Sequence, residues 1–420
     1  MKTPRAIVFP VLFLLSQSCS KNNPPQKPIR TDSLNLSLTY ADTSRNPPPN
    51  FELLVQESGG KLLLDTLAPV NTPVVATLRT SDMLVNVTTV YRGTNDTVFR
   101  VISYLGVDPS SWQTLPIDNT FVVLSPSPTF TSHQTYVEHV PGFPLPTFNH
   151  NYVWFSDEDL PVSLASATQF TSDGILVDGL FAGSNYLYSF IPSLGLYNFH
   201  VQNWTNGTDT VDLSHMDTMR QVNFPRPSQY GKCYCVLNGI MDTTDHSKSI
   251  MLYFSPYTPT TADMEYPAKY VQKFQVHATF SAPDSTQVTY YSYGSAISSD
   301  FLFPDPSRYT ITPYQNDNFS IKFNNLSPTF YETQWKSGNV NLYIYSSPDS
   351  GVHHPQALLA SLNAQKLKGQ VITPPAPVQM SFETIAEMNY AQFFGYLSSP
   401  SLITSRRVTS AVRLLKKFQN

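Results

Sequence analysis

The chain has few charged residues and few cysteines, and both shortages restrict what it can be. Only 13% of its 420 residues are Asp, Glu, Lys or Arg, about half the usual share in globular proteins, and the net charge is −4. Nucleic-acid binding needs a concentrated basic face, so this composition argues against a nucleic-acid partner. Three cysteines are too few for a disulfide framework or a zinc site of paired cysteines.

Short catalytic and cofactor motifs are also absent. The sequence contains no G-x-S-x-G elbow, no H-E-x-x-H, no phosphate-binding glycine loop and no EF-hand spacing. We therefore predict no cofactor and no metal. His353 and His354 are adjacent but would need distant ligands to hold a metal ion. The acidic run at 157–159 is read as a solvated turn, with a calcium site as the alternative.

One apolar run stands out, at the N-terminus. Lys2 and Arg5 flank the start of the chain, and the apolar segment 6–15 follows. Ten apolar residues are too few to cross a bilayer, which takes about twenty. The pattern predicts a signal peptide over residues 1–18.

The end of this segment, Ser16-Gln17-Ser18-Cys19, resembles the lipobox of bacterial lipoproteins. Ser16 and Gln17 depart from the usual Leu-then-small pattern and match the looser lipobox of Bacteroidetes-type bacteria. The resemblance implies that Cys19 is lipidated and becomes the new N-terminus, which would anchor the protein in the cell envelope. The alternative is an ordinary secretory signal cut near Ser18.

Residues 19–31 then form a predicted tether. This segment contains three prolines and no apolar periodicity. Polyproline II geometry extends a chain by about 3.1 Å per residue, so the tether would hold the body away from the bilayer. Placement on the periplasmic side and on the outer surface of the outer membrane both remain open.

Most of the remaining chain alternates between apolar and polar residues. Leu34, Leu36 and Leu38 alternate with polar side chains, and short strands separated by turn residues recur up to residue 345. They include a predicted hairpin over residues 51–67 and predicted strands at 85–91 and 287–293. The pattern predicts an all-β fold of tandem immunoglobulin-like or fibronectin-like β-sandwich domains. We place these domains at residues 32–125, 129–227 and 228–370.

Helical periodicity is expected near the C-terminus. Residues 355–368 begin with Pro355, are rich in Ala and Leu, and precede Gly369, which predicts a helix. Residues 371–420 are predicted to be a linker and a helical C-terminal segment, with a basic helix over 406–418. That helix either packs on the third domain or lies on a membrane or a partner.

Tryptophans are the candidate ligand-stacking residues. Trp204 lies in the turn-like sequence Asn-Trp-Thr-Asn-Gly, which would place its ring at a loop tip, and Trp154 is the second candidate. Flat aromatic faces can stack on sugar rings. Because β-sandwiches commonly bury a tryptophan, core packing is the alternative for both.

Two further patterns concern cysteine and threonine chemistry. Cys233 and Cys235 share one face of a predicted strand, so we read them as small apolar side chains, with a strained redox bridge or half of a metal site as alternatives. Asp-Ser/Thr triplets resemble the O-glycosylation acceptor of Bacteroidetes-type periplasmic proteins; they begin at Asp32, Asp65, Asp96, Asp209, Asp217, Asp242 and Asp284.

The sequence as a whole predicts a lipid-anchored envelope protein. Its general style is similar to that of Bacteroidetes-type lipoproteins. We expect it to bind a glycan or a partner protein without catalysing a reaction. A polymer hydrolase with carboxylates from separate loops is the alternative from another class, and a scaffold or adhesin is the third.

Overall fold

A computed structural model describes most of the chain between residues 29 and 418. The described ranges are 29–39, 49–70, 72–93, 96–108, 114–116, 134–138, 152–157, 160–165, 167–171, 174–178, 183–191, 195–204, 208–212, 216–224, 230–240, 249–255, 262–267, 269–297, 303–393 and 410–418. The predicted signal peptide and Cys19 lie outside them.

Strands dominate these ranges. The first group is β1 (Arg30–Thr39), β2 (Asn50–Glu57), β3 (Leu62–Pro69), β4 (Val74–Thr80), β5 (Val85–Tyr91), β6 (Phe99–Val107) and β7 (Thr114–Pro116). The second is β8 (Gln134–Glu138), β9 (Tyr152–Asp157), β10 (Leu160–Ala165), β11 (Ala167–Thr171), β12 (Gly174–Asp178), β13 (Gly183–Ile191), β14 (Leu196–Trp204), β15 (Thr208–Asp212), β16 (Asp217–Thr218) and β17 (Arg220–Phe224).

The third group contains the remaining strands and one helix. It is β18 (Lys232–Ile240), β19 (Ser249–Ser255), β20 (Ala262–Tyr266), β21 (Lys273–Ser281), β22 (Thr286–Gly294), β23 (Tyr309–Gln315), β24 (Asn318–Phe323), β25 (Phe330–Ser337), β26 (Val340–Ser346), β27 (Val352–His353), α1 (Pro355–Leu362), β28 (Ala376–Ile385) and β29 (Ser410–Lys417). Short 3-10 turns lie at Pro306–Arg308 and Gln365–Leu367. Within the described ranges, no helix is both long and apolar enough to span a membrane.

Twelve strands form one continuous sheet, which we call the main sheet. Its order is β19-β18-β21-β22-β29-β28-β25-β26-β6-β5-β2-β3. Neighbours are antiparallel throughout, except for β6 and β26, which are parallel. The parallel pair joins the N-terminal hairpins to the strands that lie near the C-terminus.

Both faces of the main sheet carry a hydrophobic core. On one face, Trp335 and Leu342 pack with Phe319 of β24 and with Leu359 of α1. On the other face, residues of β2, β5 and β6 pack with Leu78 of β4. Smaller sheets thus cover the main sheet on each side, which is the layered packing of a β-sandwich.

The smaller sheets complete the architecture. Their orders are β4-β1-β7, β23-β24-β27, β17-β20, β10-β9-β13-β14-β16 and β11-β12-β8-β15. The last two contain the described strands from residues 134–204 and 208–218, which lie within the predicted second domain.

The predicted all-β fold class is confirmed, and so are most individual strands. The hairpin predicted over residues 51–67 is β2 and β3, and the strand predicted at 85–91 is β5. The helix predicted from Pro355 is also present. It ends earlier than expected, at Leu362, and the following residue, Asn363, adopts a left-handed conformation and caps the helix.

The predicted C-terminal helix is wrong. Ser410–Lys417 is a strand that pairs with both β22 and β28. Val412 and Leu414 contact one core, whereas Ala411 contacts the other. A strand that is covered on both faces carries apolar residues on each face, so apolar and polar residues do not alternate along it. The spacing of its apolar residues can then match that of a helix.

The main sheet also crosses the predicted domain boundaries. It contains β2, β3, β5 and β6 from residues 32–125, six strands from residues 228–370 (β18, β19, β21, β22, β25 and β26), and β28 and β29 from residues 371–420. These three segments therefore do not form separate sheets. The division of the chain into domains stays a prediction.

Gly338 lies at the turn that joins β25 to β26, where the chain at Val371 packs closely against the turn. Its φ is 59°, and a Cβ atom there would clash with the carbonyl oxygen of Val371. Gly60 in the β2–β3 turn has a φ of 84° but open space around the Cβ position. Both backbone conformations disfavour alanine, but only Gly338 also lacks room for its methyl group.

We expect Gly338→Ala to lower the free energy of unfolding by more than Gly60→Ala, whose cost is about 1 kcal/mol. Urea unfolding of both variants would measure the difference. Equal costs would contradict the close approach of Val371 to this turn.

Candidate functional site

A cleft with a volume of about 1030 Å³ opens at one end of the main sheet. We call it the end-of-sheet cleft. Four segments line it: residues 320–323 at the end of β24, residues 325–329 before β25, the β26–β27 loop, and the turn after β28 at 387–392. Polar and apolar side chains both line it, for example Asn325 and Ser327 beside Leu326 and Met388.

The turn after β28 is fixed by its own side chains. Asn389 Oδ1 accepts a hydrogen bond from the Gln392 N–H, and Gln392 Oε1 accepts one from the Asn389 N–H, both at 2.9 Å. This reciprocal capping starts the short helical turn at Tyr390. Thr329 anchors the turn further, since its hydroxyl donates to the Met388 carbonyl at 2.9 Å and accepts from the Ile385 N–H at 2.9 Å.

Tyr390 ties this turn to the main sheet. Its buried hydroxyl contacts the carbonyl oxygens of Leu105 and Tyr345, each at 3.0 Å. These two carbonyls belong to β6 and β26, the parallel neighbours in the sheet. The position of this cleft wall therefore depends on the pairing of β6 with β26.

The β26–β27 loop forms the opposite wall and is similarly ordered. The Ser347 carbonyl accepts hydrogen bonds from the Ser350 N–H at 3.0 Å and from the Ser350 hydroxyl at 2.6 Å. Gly351 has a φ of 80°, and its carbonyl accepts a hydrogen bond from the Tyr331 hydroxyl at 2.9 Å. Both walls are thus held by internal hydrogen bonds before any ligand arrives.

Charged groups are sparse around the cleft. Asp349 and Glu387 supply carboxylates, and Lys322 supplies an ammonium group. Across the part of the chain that the structure describes, no group of three His, Cys, Asp or Glu side chains is placed to hold a metal ion.

A buried serine–histidine pair lies next to the cleft. Ser346 Oγ is 2.6 Å from His353 Nε2, and Thr333 Oγ1 is 2.8 Å from His353 Nδ1. Trp335 Nε1 donates to Thr333 Oγ1, and the ring of Tyr331 stacks on the imidazole at 4.4 Å between centroids. The serine–histidine distance is one that a nucleophile and its general base would have.

The environment of this pair does not suit catalysis. Ser346 and His353 are both completely buried. Burial, aided by the neighbouring His354, lowers the pKa of His353 to about 3, far below the value near 7 that suits a general base at neutral pH. We therefore assign Ser346, His353 and Thr333 to the packing of β25 and β26 against β27.

A second polar cluster lies on the main sheet. Arg413 Nη2 donates to Glu332 Oε2 at 3.0 Å and to Ser381 Oγ at 3.1 Å, and Glu383 lies opposite Arg413 in the register. Burial raises the pKa of Glu383, while Arg413 acts in the opposite direction. The Arg413 guanidinium thus neutralises the carboxylates of Glu332 in β25 and Glu383 in β28. This is a structural role.

The residues singled out from the sequence lie elsewhere or outside the described ranges. Trp154 lies in β9 opposite Leu164 and Tyr188. Trp204 is the last residue of β14, opposite Gly183, so its backbone belongs to a strand and not to the expected loop tip. Neither is among the described residues that line the cleft.

The structure describes some of the other cysteine, histidine and tryptophan residues. Cys235 is buried in the core, as expected for a small apolar side chain, whereas the side chain of Cys233 is not described. His354 Nδ1 lies 3.0 Å from the Asp317 carbonyl oxygen. Trp335, a tryptophan not singled out above, has its ring buried in the core.

Most of the cleft residues were missed because they lie in turns, and the others lie at the end of β24. Two signals were readable in the sequence: the Asn-x-x-Gln capping pair at 389–392 and the Ser-Pro-Asp-Ser-Gly turn at 347–351. Both signals are local, so neither one indicates which turns come together at one end of a sheet.

Comparisons with known proteins leave the family open. No protein-family model matches the chain, and no curated protein sequence matches it. The chain is similar to two B repeat units of the collagen binding protein of Staphylococcus aureus, with 10% identity over 74% of this chain and 84% of that one, at a TM-score of 0.14.

It is also similar to the pilus adhesin of Lactobacillus rhamnosus GG in its open conformation, with 12% identity and a TM-score of 0.11. That match covers 76% of this chain and 43% of the adhesin chain, so this chain spans less than half the length of the adhesin. Scores this low carry no argument about arrangement or activity.

The depressed pKa of His353 predicts a specific pH dependence of stability. Between pH 6.5 and about pH 3 the unfolded chain binds a proton at this residue and the folded chain does not. The free energy of unfolding therefore falls as pH is lowered through this window, by up to about 1.4 kcal/mol per pH unit from this group.

We expect His353→Gln to lack this contribution, so that the stability difference between the wild type and the variant shrinks from pH 7 to pH 5. Urea unfolding of the wild type and of the variant at several pH values measures this change. A pH-independent difference between wild type and His353→Gln would contradict the buried, neutral imidazole.

Arg413 and Lys416 allow a matched comparison of ion pairs on one strand. Arg413 pairs with the buried Glu332, whereas Lys416 lies 3.6 Å from the exposed Asp284. We expect Arg413→Met to cost about 3 kcal/mol of stability, because it leaves Glu332 buried and unpaired. Lys416→Met should cost less than about 1 kcal/mol in the same unfolding assay. Similar losses of stability in the two variants would show that Arg413 is not needed to neutralise the buried Glu332.

Proposed function

We propose that this protein is a non-enzymatic binding module of the cell envelope and that its ligand occupies the end-of-sheet cleft. The observation that carries this proposal is the construction of the cleft: both walls are held by internal hydrogen bonds. A preformed site loses little conformational entropy when a ligand binds, which favours affinity. The polar part of the lining, which includes Asn325, Ser327 and Gln392, suits hydrogen bonding to a polar polymer, either a glycan or a protein segment.

Attachment to the membrane belongs to the same proposal. It rests on the lipobox-like sequence that ends at Cys19. Acyl chains on this cysteine would provide stable anchoring, since each buried CH2 group contributes about 0.8 kcal/mol and two chains suffice. The body would then present its cleft at the envelope, on the periplasmic side or at the outer surface.

A polymer hydrolase is less well supported. Two of the polar clusters within the described ranges resemble reaction centres, and one of them is the buried Ser346–His353 pair. The other is the Glu332–Arg413 ion pair, in which the carboxylate already accepts from a guanidinium. A scaffold or adhesin role would also use a binding surface and is included in the proposal.

The lipid anchor is tested by labelling cells with radioactive palmitate. We expect the wild-type chain to incorporate label and Cys19→Ala to incorporate none and to leave the membrane fraction. Ser18→Ala is the control, since it keeps the thiol and a small residue before it. Label that persists in Cys19→Ala would refute the anchor at this position.

One experiment distinguishes binding from hydrolysis: the full chain in detergent is presented with a panel of glycans and peptides, and both the binding and the hydrolysis of each are measured. We expect binding without hydrolysis, and loss of binding in Ser327→Trp, which places a large ring in the cleft at an exposed loop position. Ser295→Trp, at an exposed position that does not line the cleft, is the matched control. Turnover of any panel member by the wild type would favour the hydrolase instead.

A further inference from the structure

One side of β24 lacks a strand partner where it borders the cleft. β27 pairs with β24 only at Phe319–His353 and Ser320–Val352. Gly351, with a φ of 80°, then turns the chain away from the sheet. Beyond Ser320, β24 therefore has one edge paired with β23 and one edge that opens into the cleft.

The register shows which main-chain groups face the cleft. Ser320 and Lys322 lie opposite Thr312 and Thr310 of β23. One residue further, the Asn324 N–H donates to the Arg308 carbonyl at 2.7 Å. Hydrogen-bonded and non-hydrogen-bonded pairs alternate along an antiparallel ladder, so the even-numbered residues of β24 bond to β23.

The odd-numbered residues must therefore direct their main-chain groups the other way. These are the N–H and C=O groups of Ile321 and Phe323, and both residues line the cleft. Within the described ranges no strand pairs with either residue on that side. Donor and acceptor groups at every second residue are the repeat that an extended polypeptide matches.

The charges around the cleft add a preference for one kind of segment. Asp349 and Glu387 contribute two carboxylates, against the single ammonium group of Lys322. A basic side chain on the ligand would find a complementary charge there, whereas an acidic one would meet two like charges.

We infer that the open edge of β24 binds an extended, basic polypeptide segment of a partner protein by β-strand addition. The segment continues the line of β27, runs antiparallel to β24, and bonds to Ile321 and Phe323, with a Lys or Arg side chain toward Asp349 and Glu387. This inference rests on the proposed function, because it names the ligand class of the same cleft. An open edge inside a cleft is also shielded from the edge-to-edge association that exposed strands risk.

The test uses a phage-displayed library of random ten-residue peptides selected on the full chain in detergent. Selected peptides should contain Lys or Arg and should lose binding to Ser327→Trp but not to Ser295→Trp. N-methylation at alternate peptide residues should weaken binding about tenfold per site, and methylation at the intervening residues should have little effect. Hydrogen exchange at the amides of Ile321 and Phe323 should slow on binding, while exchange at Lys322 should not change.

Other outcomes overturn the inference in distinguishable ways. Peptides that bind the cleft without the alternating effect or the amide protection would refute strand addition but keep the cleft as a site. A glycan that binds the cleft while no peptide does would refute the polypeptide ligand and keep the proposed function. No cleft-dependent binding of peptide or glycan would refute both. The exchange measurement uses the wild-type chain, so the inference stays testable if Ser327→Trp fails to fold.

Discussion

The parallel pairing of β6 with β26 is the contact on which the rest of the molecule depends. Its register runs from Phe99–Val340 to Tyr104–Tyr345 and joins residues about 240 positions apart in the sequence. The Phe99 N–H extends the pairing, donating to the Asn339 carbonyl at 2.8 Å, and the rings of Tyr104 and Tyr345 stack at 5.0 Å. Without this pair the main sheet would divide into a four-stranded and an eight-stranded part.

The cleft inherits its shape from the same pairing. The hydroxyl of Tyr390 bridges the two strands through the carbonyls of Leu105 and Tyr345, so it positions the turn that forms one wall. The other wall begins where β26 ends. The cleft therefore has walls supplied mainly by loops and a position fixed by strands, so that a rigid scaffold holds the loops in place.

Local features of the fold could be predicted from the sequence, and long-range pairing could not. The alternation of apolar and polar residues identified β1, β5 and β22. Each of these strands either has one face that is more polar than the other or has clear turn signals at its ends. β29 was mistaken for a helix because both of its faces meet apolar cores. The pairing of strands from residues 32–125 with strands from residues 228–370 could not be predicted for a different reason. Strand partners are chosen by packing across the whole chain, and short turn signals mark hairpins but not parallel neighbours. The open edge of β24 depends on the two-residue length of β27, which only the three-dimensional register reveals.

Native-state hydrogen exchange of the backbone amides in β6, β26 and β29 tests the single-sheet account most directly. If β6 and β26 belong to one cooperative unit, their amides exchange only through the same global opening, and their exchange free energies equal those of β29 and equal the free energy of unfolding. If β6 instead opens at a clearly lower free energy while β26 and β29 stay protected, the N-terminal hairpins form an independent unit and the account is contradicted.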